Sequence, residues 1–178
     1  DSRCQLEFVG DGPEHRELER LAKAAGVSDR VVFLGALPQS QTLARIRDAD
    51  ILLVPSLKGR NGDSEGIPNV IKEAMALGTL VVASDHAGAP EILEDGLSGY
   101  MFPEGDQYGY VATLHKALKS CAEWSRILET AREVVVSRFD YKKVAYELNA
   151  YYRNLGYTLP PLDASEEARV MAREGRNR

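Results

Sequence analysis

Several absences narrow the field before any motif is read. The 178 residues contain no run of 18 apolar residues, so no segment is expected to cross a membrane as a helix. Basic charge is not in excess: 22 Lys and Arg stand against 27 Asp and Glu, a formal net charge of −5. A nucleic-acid partner is therefore not expected, because its footprint would be basic. Only two cysteines occur, Cys4 in a predicted strand and Cys121 among helical residues, and neither belongs to a motif. Both are expected to be buried free thiols in a reducing compartment, which points to a cytoplasmic protein. No His/Cys/Asp cluster has metal-ligand spacing, so neither a metal nor another cofactor is expected. Ser84, Asp85 and His86 are neighbours in sequence, but adjacency does not make a catalytic triad. There is no signal-peptide pattern, and the chain opens at Asp1.

What is present is enough for one domain with a core, at 44% hydrophobic residues. Cys4–Val9 alternates and ends in the glycine turn Gly10-Asp-Gly-Pro13. A helix is predicted from Pro13 to Ala25, with Leu18, Leu21, Ala22 and Ala25 on one face and Gly26 as its stop. Short apolar strands follow at Val31–Leu34, Ile51–Val54 and Leu80–Ala83, with a last one at Gly99–Phe102. Between them lie helices at Gln39–Asp48, Pro68–Leu77 and Pro90–Leu93. Beyond Asp106 the chain reads as helical, at about Gln107–Lys119, Glu123–Arg138 and Tyr141–Asn154. Alternating strands and helices with wholly apolar strand runs indicate a parallel sheet covered on both faces, an α/β fold. Ile51–Val54 is expected to be such a strand.

The stretch Asn61–Gly78 organises the chemistry. An acidic loop leaves the carboxyl end of a strand and enters a helix begun at Pro68, whose missing N–H is harmless in the first turn. Glu65 precedes the first turn and Glu73 lies inside the helix. Val70, Ile71, Ala74 and Met75 form one stripe; Asn69, Glu73 and Ala76 form another. The helix start offers N–H groups of Asn69, Val70 and Ile71 and the positive dipole end, which suit a phosphate or diphosphate. Glu73 lies about 7.5 Å along the axis from Pro68, within reach of ribose hydroxyls on a nucleotide held there. Glu65 faces the other end of the diphosphate, where a carboxylate accepts from sugar hydroxyls. The same spacing also suits a surface loop with two solvated glutamates. The placement at strand carboxyl ends, where α/β sheets bind ligands, brings the site reading level with that one, and both stay open.

Glu65 and Glu73, with Gly66-Ile-Pro68 between them, resemble the Glu-x7-Glu signature of retaining GT-B glycosyltransferases of family 4. Phe8–Pro13, Val32–Gly35, Asp50–Ser56, Glu73–Gly78, Val81–Ser84, Gly88–Glu91 and Asp95–Gly99 resemble further landmarks of that family, in order over about Leu6–Leu155. The resemblance implies the C-terminal domain of a GT-B fold, a Rossmann-like three-layer parallel sheet with C-terminal helices, spanning residues 1–156. It implies transfer of a sugar from a nucleotide-diphosphate donor, UDP-sugar first and GDP-sugar next, to a glycan or lipid-linked acceptor, with retention and without a required metal. It makes Glu65 and Glu73 the candidate catalytic pair, Gly66, Ile67, Pro68, Asn69 and Val70 donor-binding backbone, and Gly35, Ala36 and Leu37 the cradle of the base. Lys58 and Arg60 are weaker candidates for phosphate contacts.

Departures from the family pattern carry expectations too. The usual first strand, central in the order 3-2-1-4-5-6, and the basic pair that follows it are not in this sequence, nor is the N-terminal acceptor domain. The strand at Cys4–Val9 should pair with that missing strand. The chain alone is expected to bind nucleotide weakly and not to catalyse transfer; the full enzyme would at most be peripheral to a membrane. His86 is expected at the rim near the sugar, and His15 and His115 on helix surfaces. The segment from Val144 through Leu148 to Tyr151 forms an apolar stripe that would dock the absent domain, and residues 157–178 form a charged tail. Two other readings remain open: a stand-alone nucleotide-sugar-binding module without turnover, and part of a GT-B nucleotide-sugar epimerase. Dinucleotide binding at Gly10–Gly12 is not expected, since His15 stands where the third glycine of the fingerprint belongs.

Overall fold

The computed structural model describes residues 4–58 and 66–158. Glu65, Arg60 and nearly all of the charged tail lie outside the described residues. Two compact units are present, Asp1–Arg132 and Glu133–Arg178.

The first unit runs β1 (Leu6–Phe8), α1 (His15–Ala24), β2 (Val31–Phe33), α2 (Gln39–Asp48), β3 (Ile51–Val54), α3 (Asn69–Leu77), β4 (Leu80–Ser84), α4 (Ala89–Ile92), β5 (Tyr100–Phe102) and α5 (Gln107–Lys119), followed by the start of α6 (Trp124–Phe139). Every strand pairing is parallel, β1 with β2 and then β3-β4-β5 in that order. β4 is the centre: all five of its residues are buried. Leu80 and Val82 meet Tyr100, Phe102, Ala117 and Ile127 in one core cluster, with Ile51, Leu53 and Trp124 packed against it. Successive side chains of a strand point to opposite faces, so Val81 and Ala83 turn to the other side. The fully buried Ile71, Ala74 and Met75 of α3 pack against that strand. Gly78 ends α3 in the left-handed region at φ 82°, which only glycine adopts without strain, and the turn is locked by Thr79 Oγ1 donating to Ile46 O at 2.6 Å.

Two expectations are corrected here. β3 is wholly apolar, yet all four residues are only half-buried, because among the described residues it pairs on one edge alone. Cys4 and Cys121 are exposed, not buried: Cys4 precedes β1, and Cys121 sits in a short 3-10 turn before α6. β1 is likewise an edge, with Leu6 at 37% exposure. Among the described residues neither sheet hydrogen-bonds to the other, so β1 and β3 carry the two free parallel edges where the expected central strand would pair.

In the second unit α7 (Tyr141–Asn154) is capped by Asp140, whose carboxylate accepts from Lys142 N and Lys143 N. Val144, Leu148 and Tyr151 are 44%, 51% and 59% exposed, so the predicted stripe is open. No helix among the described residues is long and apolar enough to cross a membrane.

Candidate active site at the carboxyl rim of the sheet

The chain after β3 delivers the first turn of α3 to the carboxyl end of β3-β4-β5. α3 begins at Asn69, one residue later than the sequence suggests, because Pro68 takes the extended ψ of 128° and serves as the residue before the first turn. No side chain caps this end, and Ile71 N reaches back to Pro68 O at 3.1 Å. The N–H groups of Asn69 and Val70 therefore have no backbone partner among the described residues, and the positive end of the helix is open to an anion. Gly66 and Asn69 are exposed, and Ile67 and Pro68 half-buried.

Glu73 stands four residues after Asn69 and so on the same face, about 6 Å along the axis. Its side chain is half-buried and has no hydrogen-bond or ion-pair partner among the described residues. An unpartnered carboxylate held beside an uncapped helix start suits a ligand that carries hydroxyls at one end and negative charge at the other. Glu65 and Arg60 fall outside the described residues.

The base-cradle candidates lie at the other carboxyl rim, after β2. Gly35 has φ 65° and its carbonyl accepts from Gly10 N at 2.8 Å, tying the two glycine turns that follow β1 and β2. Ala36 is exposed and Leu37 half-buried. Beside them Phe8 stacks on Phe33, and His15 packs on Phe33 with ring centroids 5.0 Å apart while pairing with Glu19. His15 is thus partly packed, not a plain surface residue as expected; His115 is exposed.

His86 does not point freely at the rim. It is buried, and its Nδ1 lies 2.9 Å from Glu104 Oε2. The other oxygen of Glu104 accepts the backbone N–H of Lys58 at 2.6 Å. These bonds, that of Lys58 foremost, hold the Glu104 carboxyl below its ordinary range. Lys58, a candidate phosphate contact, is thereby anchored through its backbone; its side chain is exposed. Glu104 follows Pro103 and reads as an ordinary loop residue, so nothing in the sequence marks it. Ala87, at φ 53°, is the one non-glycine in the left-handed region among the described residues, and it sits beside His86. Among the described residues no group of three or more His, Cys, Asp or Glu is arranged to hold a metal ion.

Comparison with known proteins places the chain in a family. The model of the family "Glycosyl transferases group 1" matches residues 1–134. The glycosyltransferase WcaL of Salmonella typhimurium, named for colanic acid biosynthesis, is 39% identical over 142 residues, covering 80% of this chain and 33% of that protein. The amylovoran biosynthesis glycosyltransferase AmsK of Erwinia amylovora is 36% identical over 139 residues, covering 78% and 34%. Among solved structures, sucrose-phosphate synthase from Thermosynechococcus elongatus superimposes with a TM-score of 0.71 at 28% identity, covering 85% of this chain and 38% of that one. HepE of Anabaena, in complex with UDP-glucose, superimposes with a TM-score of 0.68 at 25% identity, covering 84% and 43%. The chain thus spans about a third of the length of the curated relatives it matches. It has the α/β fold of the GT-B glycosyltransferases, and it belongs to the glycosyl transferases of group 1.

Proposed function

We propose that this chain is the donor-binding part of a retaining glycosyltransferase of family 4, which moves a sugar from a nucleotide-diphosphate donor to a glycan or lipid-linked acceptor. The observation that carries the reading is the uncapped, exposed start of α3 with the partnerless Glu73 on the same face. The N–H groups of Gly66, Ile67, Asn69 and Val70 hold the diphosphate, and the helix dipole takes the place a metal ion would otherwise fill. Glu73 accepts from the ribose hydroxyls and Glu65 from the donor sugar. Gly35, Ala36 and Leu37 cradle the base. UDP is the first candidate, and the UDP-glucose complex of HepE supports it.

In the transfer step the bond from the sugar's anomeric carbon to the leaving phosphate oxygen breaks. A bond from the acceptor oxygen to that carbon forms on the same face. The acceptor proton passes to the leaving phosphate, so neither glutamate is required as a nucleophile. The acceptor-binding half belongs to the rest of the full-length protein, which acts in polysaccharide or glycoconjugate synthesis in the cytoplasm, peripheral to the membrane at most.

A panel of nucleotide-sugars incubated with the full-length protein and an acceptor tests this reading by release of nucleoside diphosphate and by the anomeric coupling of the product in NMR. Release with a retained configuration is expected from one nucleotide-sugar. Glu65→Ala is expected to slow transfer by about tenfold or more while changing nucleotide affinity little, as loss of a contact strengthened in the transition state would. Inversion of configuration would refute the retaining mechanism.

A further inference from the structure

The three connections that leave β3, β4 and β5 are fastened to one another by a set of bonds that converges on Glu104. Its carboxylate takes Lys58 N–H at 2.6 Å with Oε1 and meets His86 Nδ1 at 2.9 Å with Oε2. Its own N–H donates to Asp85 Oδ1 at 2.7 Å, and Asp85 N–H donates to Phe102 O at 2.9 Å, which extends the β4–β5 ladder past the ends of the strands. One step nearer the sheet, Ser84 Oγ donates to Ser56 O at 2.7 Å. Thus Ser56 and Lys58, where the β3–α3 connection departs, are both tied down.

The return of that connection is seated on the same β4–α4 turn. Gly88 is buried, and a Cβ placed on it would lie 2.6 Å from both the backbone nitrogen and Cγ1 of Ile67, and 2.9 Å from Ile67 Cα. Ile67 therefore runs directly over Gly88, one residue before Pro68 and the open start of α3. A single platform, Ser84 to Gly88 reinforced by Glu104, grips both the departure and the return of the connection.

We infer that Glu104, acting through Lys58 N–H and the buried ring of His86, is a positioning residue that sets where the start of α3 and the backbone of Ile67 meet the donor. The inference rests on the donor-binding reading above. Glu104 is not among the residues assigned to the donor; it acts on affinity through the backbone it holds. A merely structural role would alter overall stability and leave affinity in the folded protein unchanged.

The test uses the full-length protein, with UDP titrated calorimetrically into wild type, Glu104→Ala and Glu104→Gln, alongside amide hydrogen exchange. Glu104→Ala removes both bonds and is expected to weaken UDP binding by about fivefold to tenfold, the effect of one or two net hydrogen bonds. Glu104→Gln keeps an amide oxygen for Lys58 N–H, and its NH2 can donate to His86 Nδ1 in the other tautomer. It is expected to bind within about twofold of wild type. In Glu104→Ala the amide of Ile71, which closes the first turn of α3 on Pro68 O, should exchange at least about tenfold faster along with that of Lys58, with β4 unchanged. Unchanged UDP affinity in Glu104→Ala, or equal losses in both variants, overturns the inference. If wild type binds no UDP, the choice of nucleotide fails instead, and exchange alone decides: unchanged protection of Ile71 in Glu104→Ala overturns the positioning role, and faster exchange there supports it.

Discussion

Gly88 and Glu104 carry the strictest demands at the scale of single residues. Replacing Gly88 by alanine would drive a methyl group into the backbone of Ile67, which has no flexible end to swing away. Gly88→Ala is therefore expected to cost about 1–3 kcal/mol, read as a lowered thermal midpoint. The clash pushes Ile67 away from the platform, so nucleotide affinity should fall in parallel. Glu104 has a pH signature. Its carboxyl is held below the ordinary 4.5 by Lys58 N–H first and His86 second, so the charged form favours the folded state. A depressed folded value means that the contribution is fully present above about pH 4.5 and is lost as pH falls through the folded value. The difference in thermal midpoint between wild type and Glu104→Ala should accordingly shrink as pH is lowered below that value. A difference that grows on acidification would contradict the assignment.

At the scale of elements, α3 is the part on which site and core depend together. Ile71, Ala74 and Met75 are fully buried, so the helix that presents Asn69 and Glu73 is fixed by its opposite face. Ile71→Ala is expected to destabilise the fold by about 2–5 kcal/mol in denaturant unfolding. Chain punctuation made most elements legible beforehand. Gln39–Asp48, Gln107–Lys119 and Tyr141–Asn154 lie where periodicity and end signals put them, and Gly26 and Gly78 stop their helices in the left-handed region as a terminal glycine should. Cover by neighbouring strands was not legible. Ile51–Val54 has the composition of a strand buried on both faces, but burial also depends on what lies beside it, and among the described residues one edge is free. The cysteines were misplaced for the same reason: a small apolar residue type says little about whether its position is covered. Of the candidate site, the shared face of Asn69 and Glu73 on α3 could be read from spacing, because helix geometry fixes which positions lie together. The brace from Glu104 to Lys58 spans 46 positions and that to His86 spans 18, and no local pattern records such a contact.

For the molecule as a whole, the parallel pairings divide into β1-β2 and β3-β4-β5. The base-cradle candidates end the first group and the α3 grip ends the second, so a nucleotide that spans both needs the two groups held in register. This is why activity is proposed only for the full-length protein; the chain spans about a third of the length of the curated relatives it matches. The central claim is that the start of α3 and Glu73 together hold the diphosphate and ribose of a nucleotide-sugar. Calorimetric titration of UDP into the full-length protein and its Glu73→Ala variant tests it most directly. Removing a charged acceptor of ribose hydroxyls is expected to weaken UDP binding by about tenfold to a hundredfold, with the fold intact. Equal affinity in the two proteins would contradict the account.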